Sequence, residues 1–320
     1  MENKKNILID CDPGIDDAVA IALAIAHRDQ LNICGITSVA GNQTQERVTG
    51  NALKLTVFLE AEEIPVAMGA KTPLLREIVP AGEIHGKGGL GYCVLPEVEK
   101  TLASDNAVCF LREKIMALPA EEKMTLVPTG PLTNIGLLLK VFPEVKERID
   151  QIVLMGGAAA GGNVTATAEF NIWEDPEAAQ MVYTSGIPIV MCGLDVTMAC
   201  GLNREQVAAL GRSNGRVQKA YSEMLNFYFD SPAYRNSDRV SIHDAATIMY
   251  LLHPEYFSGQ WMSAMVDCSE GVNRGMTICD SRANQEEAYE TGEKNVLVLQ
   301  QVDQENFQRV LLEALTQFDA

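Results

Sequence analysis

The chain has 320 residues, 47% of them hydrophobic, and a formal net charge of −18. That length and apolar share support a large buried core, and the acidic balance excludes nucleic-acid binding, which needs a basic stripe that is absent here. No apolar run approaches the ~20 residues that a membrane span requires, and the charged opening MENKKN leaves no signal-peptide core. The eight cysteines include no Cys-x-x-Cys pair and several lie in apolar runs, which reads as reduced, buried thiols of a cytoplasmic protein.

The first element is the stretch ILIDCDPGIDDAVAIALA, where an apolar strand runs into Asp10, Asp12, Asp16 and Asp17 and then into an alanine-rich helix. Pro13 and Gly14 force a tight turn between the two pairs of acids. Four like charges at such spacing raise one another's pKa unless a cation joins them. Cys11 is turned away by strand alternation, so the donors are all oxygen and suit a hard ion, calcium or magnesium. Taken singly, the same residues read as a strand end and as helix-capping acids.

Leu31 to Gly41 reads as a second buried strand, QERVTGNALKLTVFL as a helix and IPVAMG as a third strand. This β-α-β-α-β order predicts an α/β fold: a mainly parallel, open Rossmann-like sheet with helices on both faces and its ligand outside the carboxyl ends of the strands. Between Lys71 and Lys100 the regular pattern is lost, and AGEIHGKGGLGY places five glycines around His85. It reads as a mobile loop able to close over a site. Further on come a helix over Asn106 to Leu118, the strand MTLVP, a turn and helix in GPLTNIGLLLKVFP, the strand QIVLMGG, a helix with Asp175 at its N-cap and Pro176 at its first position, and the strand IPIVMCGLD. Leu202 to Leu252 reads mostly as helix, followed by the strands QWMSAMVD, GMTICD and NVLVLQQV and a helix from Gln304. No repeat or linker divides the chain, which predicts one domain over residues 1–320.

Three more stretches carry candidate chemistry. In VSIHDAATIMYLLHP, Ser241 and Asp244 have capping-box spacing; Asp244 is either that helix's first-turn acid or a further ligand to the cation, with His243 beside it as a proton donor. LVPTGPLTN ends a strand in a turn at which the Thr129 carbonyl can face a hard cation. Asn163, Glu169 and Asn171 in NVTATAEFNIWEDPEAA, with Asn42 at the end of the second strand, offer the donors and acceptors that sugar hydroxyls require, or else form a polar surface loop. No G-x-G-x-x-G joins the first strand to its helix, that junction is too acidic for a pyrophosphate, and neither a zinc motif nor a G-x-S-x-G elbow is present.

The motifs DCDPGIDDA, VAGNQT, LVPTGPLTNI, IVLMGGA, AEFNIWEDPEAA and IHDA, in this order, resemble the inosine-uridine preferring nucleoside hydrolases. The resemblance implies calcium-supported hydrolysis of the N-glycosidic bond of ribonucleosides, in a homodimer or homotetramer. It implies that Asp12, Asp17, the Thr129 carbonyl and Asp244 bind calcium, with Asp12 also the base for the attacking water and Asp10 orienting the cluster. Asp16, Asn42, Asn163, Glu169 and Asn171 would hold the ribose with Met155 near it, His243 would face the base and His85 would stand in the loop over the site. Tyr228 and Tyr234 are both candidates to contact the base. Two rivals are weighed against this reading: a phosphatase of the haloacid dehalogenase type, from the D-x-D of Asp10 and Asp12, and a non-catalytic nucleoside-binding protein.

Overall fold

The computed structural model describes residues 4–282 and 293–319, so the first three residues of the charged N-terminus lie outside it. The parallel core is built from β1 (Lys5–Cys11), β2 (Leu31–Ser38), β3 (Val66–Met68), β4 (Met124–Pro128), β5 (Ile149–Met155), β6 (Ile189–Cys192) and β11 (Val296–Val302). Antiparallel β9 (Phe257–Val266) and β10 (Thr277–Asp280) extend one edge, giving the order β10-β9-β11-β6-β5-β4-β1-β2-β3. The predicted parallel α/β sheet is therefore present.

Alternation along β1 sets its two faces. Ile7, Ile9 and Cys11 join a core with α1 (Ile15–Ala26), α2 (Gln45–Phe58), α10 (Arg216–Asp230), α11 (Ala245–Leu252) and α12 (Gln304–Gln317). Leu8 joins a second core with α4 (Ala107–Met116), α5 (Thr133–Val141) and α7 (Pro176–Tyr183). Strands covered on both faces read as nearly unbroken apolar runs, which is why they were legible. Asp10 follows the parity of Leu8, and Cys11 turns the other way, as strand geometry requires. The sheet order reverses between β1 and β4, and a crevice opens outside the carboxyl ends of strands at such a switch point.

Three expectations need correction. Leu202 to Leu252 is not simply helical, because β7 (Gly201–Asn203) and β8 (Arg239–Ser241) form an antiparallel ribbon flanking α9 (Arg204–Arg212) and α10. A Cβ on Gly201 would lie 2.0 Å from the Val240 carbonyl oxygen, so this pairing needs glycine there. Ser241 is not the cap of α11: its hydroxyl donates to the Met198 carbonyl, and Asp244 stands at the N-cap position without making a side-chain cap bond. Among the cysteines, Cys109 is exposed and Cys34, Cys268 and Cys279 are half-buried, while all eight are free thiols.

The loop around His85 contains a one-turn helix, α3 (Gly82–His85), and His85 is buried against the first turn of α1. Asp175 caps α7 as expected, accepting from the Ala178 N–H at 3.1 Å.

Candidate active site

The turn after β1 is held by its own acids. Asp17 lies in the first turn of α1 and accepts from the Gly14 N–H at 3.0 Å, from the Asn42 amide at 3.1 Å and from the Thr129 hydroxyl at 2.8 Å. Asp12 accepts from the Asn42 N–H at 2.6 Å through Oδ2, while its Oδ1 is buried with no protein partner. Gly130 lies against that Oδ1, where a Cβ would sit only 2.7 Å away. Asp16 accepts from the Tyr228 hydroxyl at 2.8 Å. Asp244 reaches the same place from the start of α11, so that one carboxylate oxygen from each of Asp16, Asp17 and Asp244 lies within 4.8 Å of the others.

These groups carry the electrostatic signature of a cation site. Burial, reinforced by Asp17, holds the Asp12 carboxyl well above the usual range. Burial with Asp16 pushes Asp17 up to about 6, and burial with Asp16, Asp17 and Asp12 raises Asp244. Among the described residues no Lys or Arg forms an ion pair with any of the four acids; only His85 approaches, 3.9 Å from Asp16. Buried like charges of this kind are relieved either by protonation or by a compensating ion. The all-oxygen donor set and the orphaned Asp12 Oδ1 fit a hard divalent cation. The tightest trio includes Asp16, which sequence reasoning had given to the sugar, and leaves Asp12 at its side. The Thr129 carbonyl accepts one bond, 2.8 Å from the Asn171 amide, and keeps a second lone pair for a cation.

Asp10 stands behind this floor; like Asp12 and Asp17 it is not among the residues lining the cavity, to which Asp16 and Asp244 contribute. Its Oδ1 accepts from Thr37 at 2.5 Å and from Asn134 at 2.8 Å, its carbonyl accepts from the Thr129 N–H at 2.8 Å, and burial pushes its carboxyl up to about 7. It ties the ends of β1, β2 and β4 together. A buried, doubly bonded carboxylate cannot be the nucleophile that a haloacid dehalogenase phosphatase needs, so that rival falls.

Above the acids a cavity of about 300 Å³ is lined by Asp16, Asn42, His85, Thr129, Met155, Asn163, Glu169, Asn171, Tyr228, Tyr234, His243 and Asp244. On one side, Glu169 accepts from the N–H groups of Gly157, Asn171 and Ile172, and burial raises its carboxyl. It thereby caps the short helix α6 (Phe170–Glu174), on which Asn171 reaches the carbonyls of Thr129 and Met155. Asn163 accepts from the Phe170 N–H at 2.9 Å.

The opposite side is aromatic. His243 contacts the Tyr234 hydroxyl through Nε2 at 3.0 Å and the Thr197 hydroxyl through Nδ1 at 2.8 Å. Burial lowers its pKa, which favours a neutral ring. His85 accepts the Ile15 N–H at Nδ1, 3.1 Å away, so a neutral His85 ring carries its proton on Nε2. Burial lowers its pKa as well. Tyr228 and Tyr234 were not separable by sequence; both line the cavity, their rings 5.6 Å apart, with Tyr228 bonded to an acid and Tyr234 to the histidine. Thr197, at the end of α8 (Leu194–Thr197), was missed, since a threonine after GLDV carries no local signal.

A carboxylate floor at a parallel-sheet switch point, able to hold a metal ion beneath a cavity with polar side chains on one side and aromatic ones on the other, is the site of an α/β enzyme acting on a small molecule. The inosine-uridine preferring nucleoside hydrolase family model matches residues 7–309, and the chain belongs to that family. It is 41% identical over 316 residues to a protein named pyrimidine-specific ribonucleoside hydrolase RihA from Shewanella sp. strain MR-4, covering 97% of this chain and 95% of that one. A plant nucleoside hydrolase structure superposes with a TM-score of 0.90 at 30% identity, over 98% of this chain and all of the other. A purine-preferring ribonucleoside hydrolase from Gardnerella vaginalis gives 0.89 at 30% identity, over 98% and 99% of the two chains. The chain is a ribonucleoside hydrolase, which also removes the non-catalytic reading. No helix among the described residues is long and apolar enough to cross a membrane.

Proposed function

We propose that the chain cleaves the N-glycosidic bond of ribonucleosides of the inosine, uridine and cytidine type to ribose and free base, with calcium as its resident ion. Asp12, Asp17, the Thr129 carbonyl and Asp244 hold that ion. The observation that carries this reading is the buried Asp12 Oδ1, which has no protein partner in a floor that no Lys or Arg among the described residues pairs with. When bound, a hard divalent cation makes nearby oxygens more acidic and anchors hydroxyls.

The chain's own residues account for the rest. Asp12 takes the proton from a water placed under the anomeric carbon. Asp16, Asn42, Asn163, Glu169 and Asn171, with Met155 beneath, fix the ribose, and the acids beside it favour the positive charge that grows on the sugar as the bond breaks. His243, protonated in the bound complex, delivers that proton to the departing base and returns to the neutral ring that burial favours, positioned by Tyr234 and Thr197. Attack opposite the leaving group predicts inversion at that carbon, as in glycosidases whose base activates a water directly. The name of the 41% identical relative favours pyrimidine nucleosides within this range.

The proposal extends to one domain over residues 1–320, since no repeat or linker divides the chain, placed in the cytoplasm by its cysteine usage and assembled as a homodimer or homotetramer, as the family resemblance implies. Release of reducing sugar from inosine, uridine and cytidine tests activity and base preference together. Activity is expected to vanish with a chelator and return with calcium. Turnover that survives exhaustive chelation, or that returns only with a transition metal, rejects the calcium assignment.

A further inference from the structure

Asn51 lies on α2, outside the cavity, and is buried. Its Nδ2 donates to the Pro13 carbonyl at 3.0 Å and to the Gly88 carbonyl at 2.9 Å. Pro13 belongs to the turn between Asp12 and Asp16; Gly88 belongs to the loop that carries His85. One amide group has one hydrogen for each. We propose that Asn51 is a positioning residue that ties the His85 loop to the carboxylate turn, so that both sides of the pocket are set by a single group. The proposal rests on the reading of this pocket as the nucleoside site.

Neighbouring geometry supports it. Gly89 has φ of +89°, and a Cβ there would lie 2.7 Å from Asn51 Nδ2 and 3.2 Å from the Pro13 carbonyl oxygen, so only glycine lets the loop come this close. Gly14 is equally constrained: a Cβ would lie 2.4 Å from His85 Nδ1, blocking the ring from the Ile15 N–H. Gln43 adds a second tether, donating to the Gly86 carbonyl at 2.9 Å, and its own carbonyl is held by Arg47 at 2.9 Å. Protein donors thus hold the loop against the acid turn at these points. Asn51 is the donor whose bonds end on both the loop and the acid turn.

Lys87 gives a direct readout, since it is exposed between buried Gly86 and buried Gly89. Trypsin cuts there only when the loop lifts away. Asn51→Asp keeps the shape but turns two donors into acceptors facing two carbonyls. Without substrate, cleavage after Lys87 is expected to quicken about tenfold or more, by the usual worth of two hydrogen bonds, with no change at other sites. The kcat/KM for uridine and inosine should fall by a similar factor, mostly through KM, because the competent loop position is less populated. Asn51→Ser repeats the test without an added charge. A wild-type cleavage rate at Lys87 in either folded variant overturns the proposal. So does equal acceleration at every trypsin site, or failure of both variants to fold, since either makes Asn51 a residue of general stability. If Lys87 is released as expected but the wild-type protein hydrolyses no nucleoside, the tether stands and the nucleoside reading falls.

Discussion

The floor of the pocket and its aromatic wall are built on different principles. Asp12, Asp16 and Asp17 come from six consecutive residues, and the Gly14 N–H, the Asn42 N–H and the Thr129 hydroxyl hold Asp17 and Asp12 in place. The wall takes His85 from an irregular loop, Thr197 from α8, Tyr228 from α10, and Tyr234 and His243 from the segment around β8. Side chains rather than backbone make most of its contacts. A floor built on one tight turn, with Asn42 and Thr129 bonded to its acids, suits on the proposed reading the part of the substrate that does not vary, the ribose. A wall assembled from separate segments can change one side chain at a time, which on the proposed reading suits it to the base, the part that distinguishes one nucleoside from another.

The contrast can be broken most severely at the floor. Asp12→Ala should lower kcat about a thousandfold or more, because it removes both a ligand and the general base. Reducing-sugar release near the wild-type rate from that variant would end the assignment. The wall should instead respond according to the leaving group. His243→Ala is expected to slow uridine or inosine on the order of a hundredfold but p-nitrophenyl riboside only slightly, as nitrophenolate departs without a proton. Equal losses on both substrates place His243 elsewhere in the mechanism.

A smaller effect sharpens the wall's internal order. Thr197→Val keeps the shape and removes the partner of His243 Nδ1, so kcat should fall by about tenfold, the worth of one hydrogen bond in a buried relay, with KM nearly unchanged. An unchanged kcat would show that Tyr234 alone sets the ring.

The smallest effect concerns the strap leading to the His85 loop. Glu174 accepts from the Val79 N–H at 2.8 Å and Asp175 accepts from the Leu74 N–H at 2.9 Å. Burial pushes the Glu174 carboxyl from 4.5 up to about 7, and its second oxygen has no partner. A folded pKa above the unfolded one means that the native state holds more protons between these values, so the group's contribution to stability is lost as pH rises from about 4.5 to about 7. Glu174→Gln should raise Tm by a few degrees at pH 8 and leave it unchanged at pH 4. The same shift at both pH values would assign the effect to something other than ionisation.

Much of the fold could be read from the sequence because parallel strands covered on both faces are unbroken apolar runs, and the acid turn could be read because its members are contiguous. What failed locally did so for definable reasons. The ribbon of β7 and β8 is only three residues wide on each side and depends on Gly201 approaching the Val240 carbonyl, a contact that no window of sequence contains. Asp244 looked like a capping acid because Ser241 stands three residues before it. Only the fold shows the serine bonded to Met198 and the aspartate turned toward Asp16 and Asp17.

By itself, then, the order of residues determined the parallel sheet, the crowding of four acids at the end of its first strand, and the need for positive charge there, since each follows from periodicity or from repulsion between near neighbours in the chain. Tertiary structure alone decided that Asp244 meets Asp16 and Asp17, that Asp10 braces the strands from behind, that the His85 ring accepts the Ile15 N–H at Nδ1, and that Thr197 reaches His243 and Asn51 reaches both Pro13 and Gly88. Those outcomes depend on where a lone pair or an N–H lands after segments as far apart as Asp16 and Asp244 have met, and hydrogen bonds are decided within tenths of an ångström.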